Sequence, residues 1–428
     1  MNLKRGTVRH DAFLLLAGGM IVRLCGLLFV VVLARVLSER QIGIFSFAEA
    51  VADLLILIAS FNLDSLIVRR IANGPPSEVT QRFAPLLGFR LISGPVYLLV
   101  ICGVALLAHS EQRWVLPVVG LCTLMESLYI CLSDMFVGTS QPAVRAKIEV
   151  VAELTFSAAF VLTMWARPTM VSLIAVSLIR GCMLLGVVLY LVRARFGRLH
   201  VAWDNSLLVA GIPFLLMTFL SILQGKLETV LLGVLSNYET VGVFQLALRL
   251  IIAAQFIPQA AASALYPRLA GGGWTADNRR RLLRGLAGLI GLGFVGCALL
   301  LVFRTPLARL IYGAKASQVS PVLRAMAPLL PLRFAAAFAA SVLTAVGRER
   351  AVLCAMVCGT IAGLTTDVLL IPRMGAVGAS IGLFTTALSQ CIFFGAILFG
   401  ATLRSASVKA PAQNVDPRAA TSIAELPI

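Results

Sequence analysis

The sequence predicts an all-α, polytopic membrane protein of about twelve transmembrane helices in two six-helix lobes. Three observations carry that prediction. Of 428 residues, 59% are hydrophobic and only 13% are charged, with a mean hydropathy of +0.95. Apolar stretches long enough to cross a bilayer use up most of the chain. Two distant segments also share one pattern: "VLSERQIGIFSFAEA" from Val36 and "VLSNYETVGVFQLAL" from Val234. A soluble domain averages nearer half apolar and a quarter charged, so the first observation alone points to a bilayer as solvent.

A spanning helix needs roughly 20 mostly apolar residues. Taken in order, six stretches run Phe13–Leu37, Ile42–Leu63, Phe83–Ala108, Trp114–Val137, Ile148–Ala166 and Val171–Val192. Six more run Ser206–Leu232, Val241–Ala264, Leu286–Phe303, Leu323–Val346, Ala351–Ile371 and Ala376–Leu403. Gly and Pro recur inside them, as membrane helices allow. The first stretch follows basic residues but is too long for a signal peptide and lacks a small-residue cleavage site, so it is expected to stay attached. The division expected is an N-lobe over 1–205, a C-lobe over 206–403 and an Ala-, Pro- and Ser-rich cytoplasmic tail over 404–428 that is disordered.

The net charge is +17. In a soluble protein that would raise nucleic-acid binding. Here, with the N-terminus placed in the cytoplasm, about 21 of the 36 Lys and Arg residues fall on inner loops and about nine on outer ones. The inner set includes Lys4, Arg5, Arg69, Arg70, Arg145, Lys147, Arg193, Arg195, Arg198 and the "RRRLLR" run from Arg279 to Arg284. The basic excess is a topology signal that places both termini inside, and no nucleic-acid partner is implied. The nine Cys are scattered singly in apolar helices and read as small buried hydrophobes. Cys354 and Cys358 share a helix face with no other soft ligand nearby, His10, His109 and His200 form no metal motif, and "GGG" from Gly271 lacks the ending of a phosphate loop. No cofactor or metal is expected.

Three landmarks recur in order at a spacing of about 200 residues. The first is the helix 1–2 join, where Gly43 and Phe45 find counterparts in Gly242 and Phe244. The second is "IVRRIA" after helix 2 against "LYPRLA" after helix 8, and the third is "VGTSQPAVRAK" after helix 4 against "VGRERAVL" after helix 10. An even number of helices per half keeps both halves in one orientation, as parallel repeats about an axis along the membrane normal require.

The segments "LARVLSERQIGIFSFAEAV", "FNLDSLIVRRIA", "ETVLLGVLSNYETVGVFQLALRL" and "IPRMGAVGASIG" resemble the polysaccharide-export branch of the multidrug/oligosaccharidyl-lipid/polysaccharide (MOP) exporter superfamily, which includes Wzx-type flippases. The resemblance spans about Arg5 to Leu403. It implies two bundles in a V that alternate between inward- and outward-open states in a bacterial inner membrane. It also implies a polyprenyl-diphosphate-linked oligosaccharide as cargo, and a polymerase and glycosyltransferases of the same pathway as partners. The two additional helices usual in lipid II flippases are not found.

A charge at the bilayer centre costs about 2.5–3.5 kcal/mol on insertion scales, so it faces a cavity or a partner. Arg23 lies roughly 15 Å into helix 1 at 1.5 Å per residue. It either lines a cavity or pairs with Glu49 or Asp53 of helix 2. Ser46, Glu49, Asp53 and Ser60 fall on one face of that helix. Helix 4 carries Thr123, Glu126 and Asp134, helix 6 carries Arg180, helix 7 Gln224 and Glu228, helix 8 Gln245 and Arg249, and helix 10 Arg333 just after Pro328 and Pro331. Lys226 is two residues from Glu228 and cannot share its face. Glu149 and Glu153 are expected to be satisfied by a helix N-terminus and by Arg145 and Lys147.

For the cargo the resemblance implies, Arg23, Arg180, Arg249 and Arg333 are the expected diphosphate ligands, because arginine stays ionised and meets phosphate with a bidentate fork. Glu49 and Asp53, with Glu126 and Glu228, are the candidates for coupling to H⁺ or Na⁺. Moving a glycan across a membrane breaks no bond, so no catalytic group is required. A cation or drug antiporter would want an acidic or aromatic cavity, and a membrane-embedded polymerase or ligase a large outer loop; the longest here, about Arg304 to Val322, is short.

Overall fold

The computed structural model describes residues 5–108, 111–258, 261, 276–345 and 348–407. Among these residues eleven helices are long and apolar enough to cross a membrane, and a shorter apolar helix over Leu329–Thr344 makes a twelfth. The protein is a multi-pass membrane protein. The "LYPRLA" landmark, part of "VGRERAVL" and positions 408–428 of the expected tail lie outside the described residues.

The helices are α1 (Arg5–Val36), α2 (Glu39–Ser60), α3 (Asp64–Ala72), α4 (Val79–Leu107), α5 (Val115–Gly138), α6 (Pro142–Ala166) and α7 (Met170–Phe196) in the first half. In the second half they are α8 (Asn205–Leu235), α9 (Tyr238–Ala254), α10 (Ala276–Tyr312), α11 (Ala316–Met326), α12 (Leu329–Ala345), α13 (Glu349–Met374) and α14 (Ala376–Ser407). First-half helices pack mainly on one another, as α1 on α6 and α5 on α7; second-half helices do the same, as α13 on α14 and α10 on α12. The two sets meet chiefly where α2 crosses α9 and α8.

The repeated join explains that crossing. Each copy starts a helix with a polar cap: Ser38 caps α2 in a capping box with Gln41, and the Asn237 side chain accepts from the Thr240 amide of α9. One turn into each helix sits the repeated glycine. A Cβ on Gly43 would lie 1.6 Å from the Tyr238 carbonyl oxygen, and one on Gly242 would lie 2.0 Å from the Glu39 carbonyl oxygen. The two copies therefore pack reciprocally, each glycine seated on the backbone one turn before the other. Around them Leu37, Ile42, Ala48, Val241, Phe244 and Ala247 are buried in one core cluster.

The same end of the molecule carries further ties between the halves. Arg35 of α1 donates to the Leu310 carbonyl of α10, and Lys315 donates to the carbonyls of Ala34 and Leu37 at the end of α1. Each cation thus meets a helix C-terminus, where the dipole favours positive charge.

Two expected loops are helical. Residues 304–322 are not an outer loop: α10 runs on through Pro306 to Tyr312, and α11 follows after one turn of 3-10 helix. Three charges, Arg304, Arg309 and Lys315, lower a hydropathy window there. The residues of α11 still recur at helical spacing, with Ala316, Val319, Leu323 and Met326 buried on one face. The two prolines ahead of Arg333 coincide with a helix break: α11 ends at Met326, two residues before Pro328. After α2 the chain turns through two left-handed residues, Phe61 and Asn62, and re-enters a short amphipathic helix, α3, where only an exit loop was expected.

Candidate substrate cavity

A cavity of about 560 Å³ opens between the halves, within the range that holds small ligands. It is walled by α1, α2, α5, α6 and α7 from the first half and by α8 and α9 from the second. Three of the four expected phosphate ligands line it: Arg23, Arg180 and Arg249. So do the expected coupling residues Glu49, Asp53 and Glu126. The i, i+4 spacing of Glu49 and Asp53 does what the helical period requires and presents both to one wall.

The arginines are held differently. Arg180 contacts Glu153 at 2.5 Å and Glu126 at 3.5 Å, and lies over the Phe156 ring at 5.3 Å. Arg249 reaches Glu49 at 3.5 Å across the boundary between the halves and lies over Phe29 at 5.4 Å. Arg23 does not pair with Glu49 or Asp53. Its guanidinium lies 3.8 Å from the Phe256 ring centroid and donates to the Gly19 carbonyl at 3.3 Å, with no carboxylate partner among the described residues. The arginine read from sequence as either cavity-lining or paired is therefore cavity-lining, with most of its fork unused.

The cationic partner of Asp53 is Lys226, at 2.7 Å, with Glu49 at 3.9 Å from the same ammonium. Lys226 is a cavity residue that sequence reasoning passed over. The signal was there: if Glu228 faces one side of α8, a residue two positions away faces nearly the opposite one. Glu153 was likewise misplaced. Residues of α6 begin at Pro142, so Glu149 is two turns in and pairs with Arg145 as expected, whereas Glu153 is a turn deeper and faces the cavity. Four cations, Arg23, Arg180, Lys226 and Arg249, thus face four carboxylates, Glu49, Asp53, Glu126 and Glu153. The cavity is balanced in formal charge rather than cationic.

Glu228 and Arg333 do not line this cavity. Glu228, 3% exposed, is buried within α8. Asp367 of α13 is fully buried with both oxygens free of hydrogen bonds, and Gly382 of α14 leaves it room, since a Cβ there would come within 1.8 Å of the carboxylate. Nearby, Gln224 donates to Thr360 at 2.8 Å and accepts from Gln390 at 2.9 Å. Asp367 is a lone acid in an apolar run, legible by the depth criterion that singled out Arg23.

Asp134 also lies away from the cavity. It pairs with Arg145 at 2.6 Å, near the α3 end. There Arg90, 2% exposed, donates from Nη2 to both carboxylate oxygens of Asp64 at 2.9 and 2.8 Å and from Nη1 to Ser127, pinning the first turn of α3 to α4 and α5. Arg70 pairs with Asp204 at 3.0 Å, fixing the segment that leads into α8. Hydrogen bonds from Ser206 and from Arg70 hold the Asp204 carboxyl below the usual carboxylate range.

Comparison with known proteins gives both fold and family. The fold matches a lipid II flippase MurJ in an inward closed conformation, with a TM-score of 0.69, 12% identity, and 91% of this chain and 87% of that chain covered. It matches an inward-facing MATE family transporter of the MOP superfamily equally well, with a TM-score of 0.69, 13% identity and coverage of 92% and 98%. The MATE multidrug transporter DinF-BH, in complex with R6G, matches at a TM-score of 0.67, 15% identity and coverage of 92% and 95%. A search of curated protein sequences finds no match. A family model described as polysaccharide biosynthesis protein matches residues 8–272, well over half of the chain. That match makes this chain a member of the polysaccharide biosynthesis protein family, built on the fold it shares with these transporters.

Proposed function

We propose that the chain is a flippase of the bacterial inner membrane. It moves a polyprenyl-diphosphate-linked oligosaccharide from the inner to the outer leaflet for cell-surface polysaccharide synthesis. The 1–205 and 206–403 lobes rock about their crossing, with both termini cytoplasmic. The α2–α9 end then faces outward, and its close packing corresponds to the outward exit being shut. Sugar hydroxyls cannot cross hydrocarbon unsatisfied, so the glycan takes the polar cavity while the lipid tail stays in the bilayer.

The observation that carries this reading is Arg23, an arginine in the cavity with no carboxylate partner among the described residues and most of its fork free for phosphate oxygens. Family membership supports the same pathway. Arg180 and Arg249 are reserve ligands whose carboxylates neutralise them when the site is empty. Arg333 acts from the second-half cluster rather than on the cargo. Glu49, Asp53, Glu126 and Glu228 are the groups through which an ion gradient acts. The four cavity carboxylates favour a second reading, a cation or drug antiporter of the same fold.

One experiment separates the two. In a strain lacking the gene, lipid-linked glycan is measured on each membrane face, with the wild-type chain or Arg23→Lys supplied in trans. The expected result is glycan held inside without the gene, export restored by wild type, and export cut at least about tenfold by Arg23→Lys at equal abundance, because lysine lacks the fork. Unchanged glycan distribution in the deletion, with raised sensitivity to lipophilic cations, would establish the antiporter instead.

A further inference from the structure

Among the described residues, the three close contacts between opposite charges that cross from one half to the other inside the cavity have the same polarity. The carboxylates come from α2 of the first half, and the cations come from α8 and α9 of the second. Lys226 holds Asp53 at 2.7 Å and Glu49 at 3.9 Å, and Arg249 holds Glu49 at 3.5 Å. By contrast, Arg180 is satisfied by Glu126 and Glu153 of its own half. Glu49 and Asp53 stand one turn apart, with Cβ atoms about 5–6 Å from each other on one helix face. Together they present two adjacent oxygen-bearing anions to an ammonium and a guanidinium. A diphosphate presents the same thing: two linked anionic groups, each rich in acceptor oxygens. The groups are partly exposed to the cavity, with side-chain exposures between 18% and 38%, so a ligand can reach them.

We infer that Lys226 and Arg249 are direct ligands of a diphosphate and that, in the empty cavity, Glu49 and Asp53 occupy those cations as an internal stand-in which the diphosphate displaces. This rests on the flippase reading and adds to it a ligand, Lys226, and a competition. The competition sets selectivity. A single weak anion cannot break two pairs at once, whereas a diphosphate replaces both with stronger, charge-assisted bonds. It also ties cargo to conformation. The pairs that the cargo opens are the ones that join the halves across the cavity, so an empty carrier is held closed around them and a loaded one is released.

The affinity of a ligand for a partly self-occupied site is its intrinsic affinity reduced by the fraction of free site. Removing the internal competitor therefore tightens binding. The probes are inorganic pyrophosphate and a short-chain prenyl diphosphate, with inorganic phosphate for comparison, titrated into the purified full chain in detergent. Glu49→Gln/Asp53→Asn is expected to bind pyrophosphate about tenfold more tightly than wild type, within the usual span of linked-site couplings. Adding Lys226→Gln to that double variant leaves no unpaired buried carboxylate beside the lost lysine, so it tests the ligand without the folding penalty of Lys226→Gln alone. It is expected to lose the gain and bind below wild type. A double variant that binds no more tightly than wild type, or a triple variant that binds as tightly as the double, overturns the inference while wild-type pyrophosphate binding leaves the flippase reading standing. Failure of both diphosphate probes to bind wild type and double variant alike brings down the diphosphate reading itself.

Discussion

Gly43→Ala and Gly242→Ala give a sharp test of the reciprocal crossing. Each added Cβ meets backbone, which cannot rotate away. Ordinary contact begins at 3.4 Å, so the separation needed is 3.4 − 1.6, or 1.8 Å, for Gly43 against Tyr238, and 3.4 − 2.0, or 1.4 Å, for Gly242 against Glu39. A gap of about 0.5–1 Å already forfeits a quarter to a half of a dispersion contact, so the crossing as a whole loosens. Overpacking of this kind costs about 1–3 kcal/mol, less the roughly 0.5–1 kcal/mol that alanine returns in helix propensity. One displacement relieves both clashes, because each glycine sits on the other's helix. The two costs are therefore not additive. In thermal melts of the purified protein, each single variant is expected to lower Tm, and the double to fall little below the worse single. Gly103→Ala, with no atom within 4 Å of its Cβ, is the control and should raise Tm slightly, by the helix propensity alone. Additive losses, or an unshifted Tm in the singles, would refute the reciprocal packing.

Three further outcomes are expected. Arg90→Met should lower stability by about 3–5 kcal/mol, because Asp64 is left charged and part-buried; Arg90→Met/Asp64→Leu should recover most of it in the same melts, and a double variant as unstable as the single would remove the bracing role. A phosphatase fused after Arg281 should be inactive while a fusion after Arg113 is active, and the reverse would invert the proposed topology. Asp204 has a lowered pKa in the folded protein, so the contact with Arg70 and Ser206 adds stability above the ordinary carboxylate range and loses it as pH falls through the folded value. Asp204→Asn should flatten that acid limb, and an unchanged pH profile would show that the contact contributes nothing.

The sequence by itself determined the bilayer as solvent, the number of crossings and the charges that a membrane segment must justify. Those follow from composition and from a helical period, which depend only on residues near one another in the chain. It also disclosed the repeated join, because Gly43 and Gly242 are local signals. That these two glycines touch, however, was decided by packing: a glycine in a membrane helix shows the ability to come close, not the partner. The same limit governs the cavity. Depth alone marked Arg23, Arg180, Arg249 and Arg333 as equivalent, yet a helix has several faces, and only the arrangement of its neighbours separates Arg333, which does not line the cavity, from Arg23, which lines it and lies over Phe256. Pairing across the halves was equally out of reach. Asp53 and Lys226 are 173 positions apart and belong to segments whose contact is set by how two bundles dock. Sequence supplied the charges, and tertiary structure decided their sum, since a cavity's net charge depends on which side chains face it and not on how many the chain contains.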